Sequence, residues 1–132
     1  MKLTRGSSYA LATLAYLARE KPEAAVSSRA VAAAEGVPER FLLKVLKPLV
    51  DAGILRSVRA PNGGYRLARA PKGVTLLEVI EAVDGPLRAE APPVSKDGAA
   101  LDRRLQAACD EALALVRGRL ARVTLAELAR GK

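Results

Sequence analysis

Apolar positions near the amino terminus recur every three or four residues, which is the period of one face of an α-helix. This pattern predicts a first helix over residues 5–19, ended by Lys21-Pro22 because a residue before proline disfavours helical geometry. A longer pattern of the same period predicts a helix over residues 101–122. At 1.5 Å per residue that helix would extend about 33 Å. Its apolar stripe is Leu101, Leu105, Ala108, Ala112, Leu115, Val116 and Val123.

A pair of shorter helical patterns follows the first helix. Ser27 or Ser28 can cap a helix over residues 29–35, and Gly36 can end it in the left-handed conformation. Only about three residues then separate it from the next helical pattern, and this is the spacing of a helix-turn-helix.

The third helix is predicted over residues 38–52, with Pro38 at its first position, where a missing N–H costs nothing. Pro48 lies inside the helix and is expected to kink it. The expected buried stripe is Phe41, Leu42, Val45, Leu46 and Leu49.

Two short segments with partial alternation, residues 54–58 and 65–68, flank the dipeptide Asn62-Gly63, which is the strongest short-range sign of a β-hairpin. A helix-turn-helix followed directly by a hairpin is a winged helix. The predicted fold class is therefore mainly α with a small β-hairpin, a winged helix-turn-helix joined to a long carboxy-terminal helix.

Beyond the hairpin, two capping boxes predict further helix starts, Thr75 with Glu78 and Thr124 with Glu127. The proline-containing stretch between them predicts a loop. The predicted organisation is a winged-helix domain over residues 1–85, a loop over 86–100, and a dimerisation helix with a short final helix over 101–132.

The charge of the chain is concentrated in the predicted winged helix. The net charge is +8, and residues 1–70 hold 12 Lys and Arg against 5 Asp and Glu, an excess of seven. A basic segment next to a nearly neutral one favours binding to nucleic acid. The alternative is that these cations only keep the surface soluble.

The composition excludes several classes of chemistry. The chain has no histidine and one cysteine, so one chain holds no Ser-His-Asp or Cys-His nucleophile system and no intrachain disulfide. Nor is any apolar run near the length of a membrane span. We expect a cytoplasmic protein that is not an enzyme.

The motifs of the first 88 residues resemble the Rrf-type bacterial transcription regulators. The resemblance rests on Gly36-Val37-Pro38 in the turn, on the hairpin run from Ser57 to Arg69, and on the run from Thr75 to Leu87. The segment 124–128 is similar to the end of that family.

The resemblance implies a homodimer that binds a palindromic promoter site, most simply as a repressor. Several members of the family hold an iron–sulfur cluster through three cysteines in the loop and the start of the long helix. Here the corresponding residues 86–108 contain none, and Cys109 stands alone beyond them. We therefore expect no metal and no cofactor, and we interpret Cys109 as a core or interface residue.

DNA contact is expected from the third helix and from the hairpin. Arg40 and Lys44 lie one turn apart and can reach guanine or phosphate, whereas Leu43 can touch a thymine methyl group. Arg59 matches the family's wing arginine, which enters the minor groove. The other candidates are Ser28, Arg29, Pro38, Glu39, Lys47, Asn62, Gly63, Gly64 and Arg66, with Lys2, Thr4 and Tyr9 as weaker ones.

Two alternatives remain open from the sequence. The stripe of the long helix can pack against a second copy, or it can cover the chain's own core. The protein can also be an interaction module whose effector is another protein, with DNA binding secondary or lost.

Overall fold

A computed structural model describes residues 1–20, 24–59, 63–93, 96 and 98–130. It confirms a mainly helical fold with a two-stranded antiparallel hairpin and a long helix near the carboxy terminus. No helix among the described residues combines the length and the apolar character that crossing a membrane requires. In chain order the elements are α1 (Arg5–Glu20), α2 (Ser28–Glu35), α3 (Glu39–Asp51), β1 (Leu55–Val58), β2 (Gly64–Leu67), a 3₁₀ turn (Pro71–Gly73), α4 (Leu76–Asp84), α5 (Ala99–Leu120) and α6 (Leu125–Leu128).

Helix α1 lies at the centre of the hydrophobic core and packs against α3 and α4. Its Ala10, Leu14 and Leu17 have no exposed surface. Removing a leucine side chain of this kind from water contributes about 1.5–3 kcal/mol. The face of α3 that packs against α1 is also buried, and its buried residues are Leu42, Val45, Leu46 and Leu49.

The prediction that Phe41 belongs to this buried stripe is wrong. Its side chain is 40% exposed. The four buried residues of α3 already define the centre of the packed face, and Phe41 lies at its edge, where α1 covers it only in part.

The turn between α2 and α3 forms as predicted, with small shifts in the boundaries. Ser27 rather than Ser28 caps α2, because its hydroxyl accepts from Ala30 N at 3.1 Å. Gly36 ends the helix in the left-handed region with φ of +65°. Pro38 caps α3 rather than being its first residue, because its ψ of 127° is not helical. The helix continues through Pro48 to Asp51.

The hairpin pairs Leu55 with Leu67 on its buried face and Arg56 with Arg66 at the next position. A third segment extends this small sheet, because Val26 and Tyr65 exchange both backbone hydrogen bonds at 2.9 Å. The wing is therefore tied to the start of the helix-turn-helix and holds a fixed position beside it.

Helix α4 begins with the complete capping box that the sequence predicts. Thr75 Oγ1 accepts from Glu78 N at 3.1 Å, and Glu78 Oε2 accepts from Thr75 N at 2.9 Å. Burial raises the pKa of Glu78, but the Thr75 N–H and the Arg69 guanidinium outweigh it and hold that pKa below its ordinary value.

The short helix α6 returns to the winged-helix core. Leu125 N donates to Val74 O, and Leu76 N donates to Val123 O, both at 2.8 Å. The side chain of Leu125 is 1% exposed and belongs to the core cluster around α1. The segment after α5 is thus anchored on the residues that precede α4.

An ion pair joins helix α5 to α4. Arg117 donates to the carboxylate of Glu81 on α4, and Leu87 N donates to the same oxygen at 2.8 Å. The hydrogen bond from Arg117 lowers the pKa of Glu81 below its ordinary value, against the opposing effect of burial. No residue of α5 is buried in the protomer.

The position of α6 predicts that Leu125→Ala destabilises the protein although the residue lies near the chain end. Removing a fully buried leucine side chain should cost about 2–4 kcal/mol of unfolding free energy. Leu128→Ala in the same helix is the matched control, because Leu128 is 42% exposed. Urea denaturation measures both. Equal, small losses for the two variants would show that α6 is not part of the cooperative core.

Candidate nucleic-acid interface

The exposed face of α3 carries a row of cations and one leucine. Arg40, Lys44 and Lys47 are exposed, and the side chain of Leu43 is 45% exposed. Lys47 pairs with Asp51 at 3.0 Å, but both side chains are largely in water, so this ion pair is weak and screened by salt. These residues point outward because Leu42, Val45, Leu46 and Leu49 occupy the opposite face.

Phe41 organises two of these cations, a role that the sequence analysis missed. The guanidinium carbon of Arg40 lies 5.2 Å from the centre of the Phe41 ring, and Lys44 Nζ lies 5.6 Å from it. Both distances fall within the range of cation–π attraction. The ring also lines a cavity of about 310 Å³ with Arg5, Gly6, Tyr9, Lys44 and Val45. Its helical spacing gave no sign of this, since a core residue would have the same spacing.

Ser28 and Glu39 are brought together at the start of the two helices. The Ser28 hydroxyl donates to Glu39 Oε2 at 2.8 Å and thus links α2 to α3. A carboxylate in the first turn also complements the partial positive charge of a helix N-terminus. Arg29, the neighbour of Ser28, remains exposed.

Arg59 follows β1 directly and is exposed at the base of the wing tip. Asn62 lies outside the described residues. Gly63 is half-buried at the start of the returning segment.

Gly64 is required for a reason that the sequence did not reveal. Its φ is +154°, and a Cβ atom there would lie 2.4 Å from Val26 O. The backbone at Gly64 therefore lies so close to the Val26 segment of the same chain that only glycine fits there.

Of the weaker candidates, Lys2 and Thr4 precede α1 and Tyr9 lies within it. Thr4 caps that helix, accepting from Ser7 N at 3.0 Å, and its hydroxyl donates to the Asp84 carboxylate at 2.8 Å. Lys2 is exposed, and Tyr9 is half-buried beside the Phe41 cavity. Of these three, Thr4 has its hydroxyl already engaged within the protein.

The apolar stripe of α5 is open in the single protomer. Leu101, Leu105 and Leu115 are 53%, 37% and 78% exposed. Ala108 and Ala112 are exposed as well, whereas Val116 and Val123 are half-buried. The stripe therefore does not cover the protomer's own core, and an unpartnered stripe of this length is typical of a contact with another chain.

The residues at the family's cluster position do not fit an iron–sulfur cluster. Cys109 is half-buried and is the only cysteine of the chain. Among the described residues no three Cys, Asp or Glu side chains converge as metal ligands would. Instead the Gln106 amide joins the loop to α5: Nε2 donates to Ala89 O at 2.7 Å, and Oε1 accepts from Ala91 N at 3.0 Å.

Helix-turn-helix, attached wing and long trailing helix together define a winged helix-turn-helix of the kind found in transcription regulators. A family described as Rrf2, an iron-dependent transcriptional regulator, matches residues 3–131. Since this match covers nearly the whole chain, the protein belongs to the Rrf2 family of transcriptional regulators.

Individual relatives align with about two thirds of the chain. An rrf2-like HTH-type transcriptional regulator of Rhodobacter capsulatus is 37% identical over 89 residues, covering 64% of this chain and 59% of that protein. The HTH-type transcriptional regulator CymR of Bacillus subtilis is 30% identical over 87 residues, 66% of this chain and 63% of CymR. The chain thus matches less than two thirds of the length of either relative.

Solved structures match over almost the full chain. CymR, the global cysteine regulator of B. subtilis, superposes with a TM-score of 0.76 at 26% identity, covering 98% of this chain and 96% of that one. A transcriptional regulator from Listeria innocua gives a TM-score of 0.78 at 30% identity, over 100% and 88%. The long α5 and the final α6 are therefore part of the shared architecture.

Proposed function

We propose that this protein is a sequence-specific DNA-binding repressor that acts as a homodimer on a palindromic promoter site, without an iron–sulfur cluster of its own. The outward face of α3 supports this function most directly, because Arg40, Leu43 and Lys44 are exposed there and the wing presents an exposed Arg59. Family membership supports the general role.

In this proposal α3 lies in the major groove. Arg40 and Lys44 reach guanine or phosphate, and their attraction to the Phe41 ring limits the conformations they lose on binding. Leu43 cannot accept a hydrogen bond, so it contacts a thymine methyl group rather than a cytosine amine. Arg59 enters the minor groove, which attracts guanidinium where it is narrow. Lys47, Arg29 and Lys2 contact phosphates.

The open stripe of α5 supports the homodimer. Packing this stripe against the same stripe of a second copy removes the exposed leucines from water and creates a two-fold axis. A two-fold dimer would place its two copies of α3 on two half-sites, so the operator proposed for it is a palindrome. A dimer that covers promoter DNA in this way blocks its use.

A second candidate function rests on the same stripe. Leu101 and Leu115 would serve equally well to seat a different protein, and the regulator would then respond to that partner instead of a metal. Sedimentation of the purified protein separates the two, because only the homodimer predicts twice the 13.9 kDa mass without any addition.

Arg59→Ala is expected to weaken specific binding by about 1–3 kcal/mol, since a good contact to a base edge contributes that much. Footprinting of genomic DNA, including the region upstream of the protein's own gene, first defines the site. Gel-shift titration of that site then compares the variant with wild type and with Arg103→Ala, a matched loss of one exposed cation on α5. Equal affinity of the Arg59 variant and wild type would remove Arg59 from the interface.

Leu115→Glu is expected to convert the dimer to a monomer, because a carboxylate would be buried within the proposed α5 contact. The protomer itself should stay folded, since Leu115 is 78% exposed. Ala114→Glu adds the same charge to an exposed position of α5 outside the stripe and should stay dimeric. Analytical ultracentrifugation measures both. A dimeric Leu115→Glu protein would contradict the assigned interface.

A further inference from the structure

We propose that Arg56 and Arg66 together form a phosphate-binding site on the outer face of the hairpin, which holds the DNA backbone next to the wing. The inference rests on the proposed DNA-binding function and deepens it. Arg56 was not among the DNA-contact candidates from the sequence, because only the strand register reveals its partner.

The register places the two arginines directly opposite each other. Arg56 of β1 pairs with Arg66 of β2 in the antiparallel ladder, so their side chains leave the same face. The neighbouring pair, Leu55 and Leu67, is buried on the other face. Cβ atoms of directly opposed residues lie only about 4.5–5.5 Å apart. Two positive charges therefore begin from adjacent points on the hairpin surface.

This arrangement is unfavourable in the free protein. Like charges directly opposite in a ladder destabilise it. No residue in the described part of the chain forms an ion pair or hydrogen bond with either guanidinium, and the buried Nε of Arg66 has no partner there. Two other cations of the winged helix do have acidic partners: Arg69 pairs with Glu78 at 3.1 Å, and Lys47 pairs with Asp51 at 3.0 Å.

An anion on this face removes the conflict. Arginine presents several N–H donors in a planar fork that fits phosphate oxygens, and two such forks can share one phosphodiester group. One charge of the DNA backbone would then offset the repulsion between both side chains. The wing would therefore be more stable in the complex with DNA than in the free protein.

The position of the pair indicates DNA rather than a free ion. Arg56 precedes Arg59 by three residues, about 10 Å along an extended strand. A duplex that receives Arg59 in its minor groove brings a sugar–phosphate strand along the edge of the wing. Phosphate contacts of this kind set register and affinity, without reading bases.

The substitution Arg56→Glu tests the site, because it should raise the thermal stability of the free protein and lower its affinity for DNA. In the free protein it replaces a like-charge pair by a Glu–Arg pair, so the midpoint of thermal unfolding should rise by about 1–4 °C. On DNA the phosphate site is lost, so affinity for the footprinted operator and for a scrambled duplex should fall by a similar factor of 10 or more. Their log–log salt slopes should become shallower by about 1–2.

The controls separate this inference from the proposed function. Arg103→Glu makes the same charge change on α5 and should leave DNA affinity within about threefold of wild type. If wild type binds the operator and the Arg56→Glu variant binds it with equal affinity, the phosphate site alone is overturned. Absence of operator binding by wild type would overturn the proposed function instead.

Inorganic phosphate distinguishes the source of the anion. At equal ionic strength, phosphate and chloride buffers should weaken wild-type DNA binding equally and give the same unfolding midpoint. A specific effect of inorganic phosphate that Arg56→Glu abolishes would mean that the pair binds a free anion, and the assignment to the DNA backbone would be wrong.

Discussion

The packing of α3 against α1 sets the orientation of every side chain on α3. Four apolar side chains of α3 are buried, and α1 offers Ala10, Leu14 and Leu17 with no exposed surface to receive them. Because a helix has 3.6 residues per turn, burying this face forces Arg40, Leu43 and Lys44 to the opposite side. The hydrophobic core therefore determines which side chains face outward, and so the proposed contact with DNA.

The charged residues also differ between the side of the protein next to the core and the outward surface. Acidic residues next to the core are engaged with the protein's own groups: Glu78 with Arg69 and Thr75, Glu81 with Arg117, and Asp84 with Thr4 and Ser7. On the hairpin, by contrast, Arg56 and Arg66 face each other without an acid among the described residues. A surface that concentrates like charge is less stable by itself and gains when an anionic partner binds.

The fold was largely predictable because its signals are local. Helical periods, the Ser27 and Gly36 caps, the Thr75–Glu78 box and the hairpin dipeptide each act within a few residues. Features that depend on distant contacts were missed. Phe41 has the spacing of a core residue but lies at the edge of the packed face, and α6 is anchored by backbone bonds to residues 74–76. Of the proposed site, the exposed cations of α3 were visible in the sequence, whereas the Arg56–Arg66 pair requires the strand register.

If α3 and the wing form one cationic surface that reads DNA, wild-type binding must depend strongly on salt and on sequence. Affinity for the footprinted operator and for a scrambled duplex of equal length should be measured from low to physiological salt. We expect a log–log slope of about −4 or steeper on the operator, since each phosphate contact contributes about −0.9. We also expect the operator to bind at least about 100-fold more tightly than the scrambled duplex. A slope near zero, or equal affinities for the two duplexes, would contradict it.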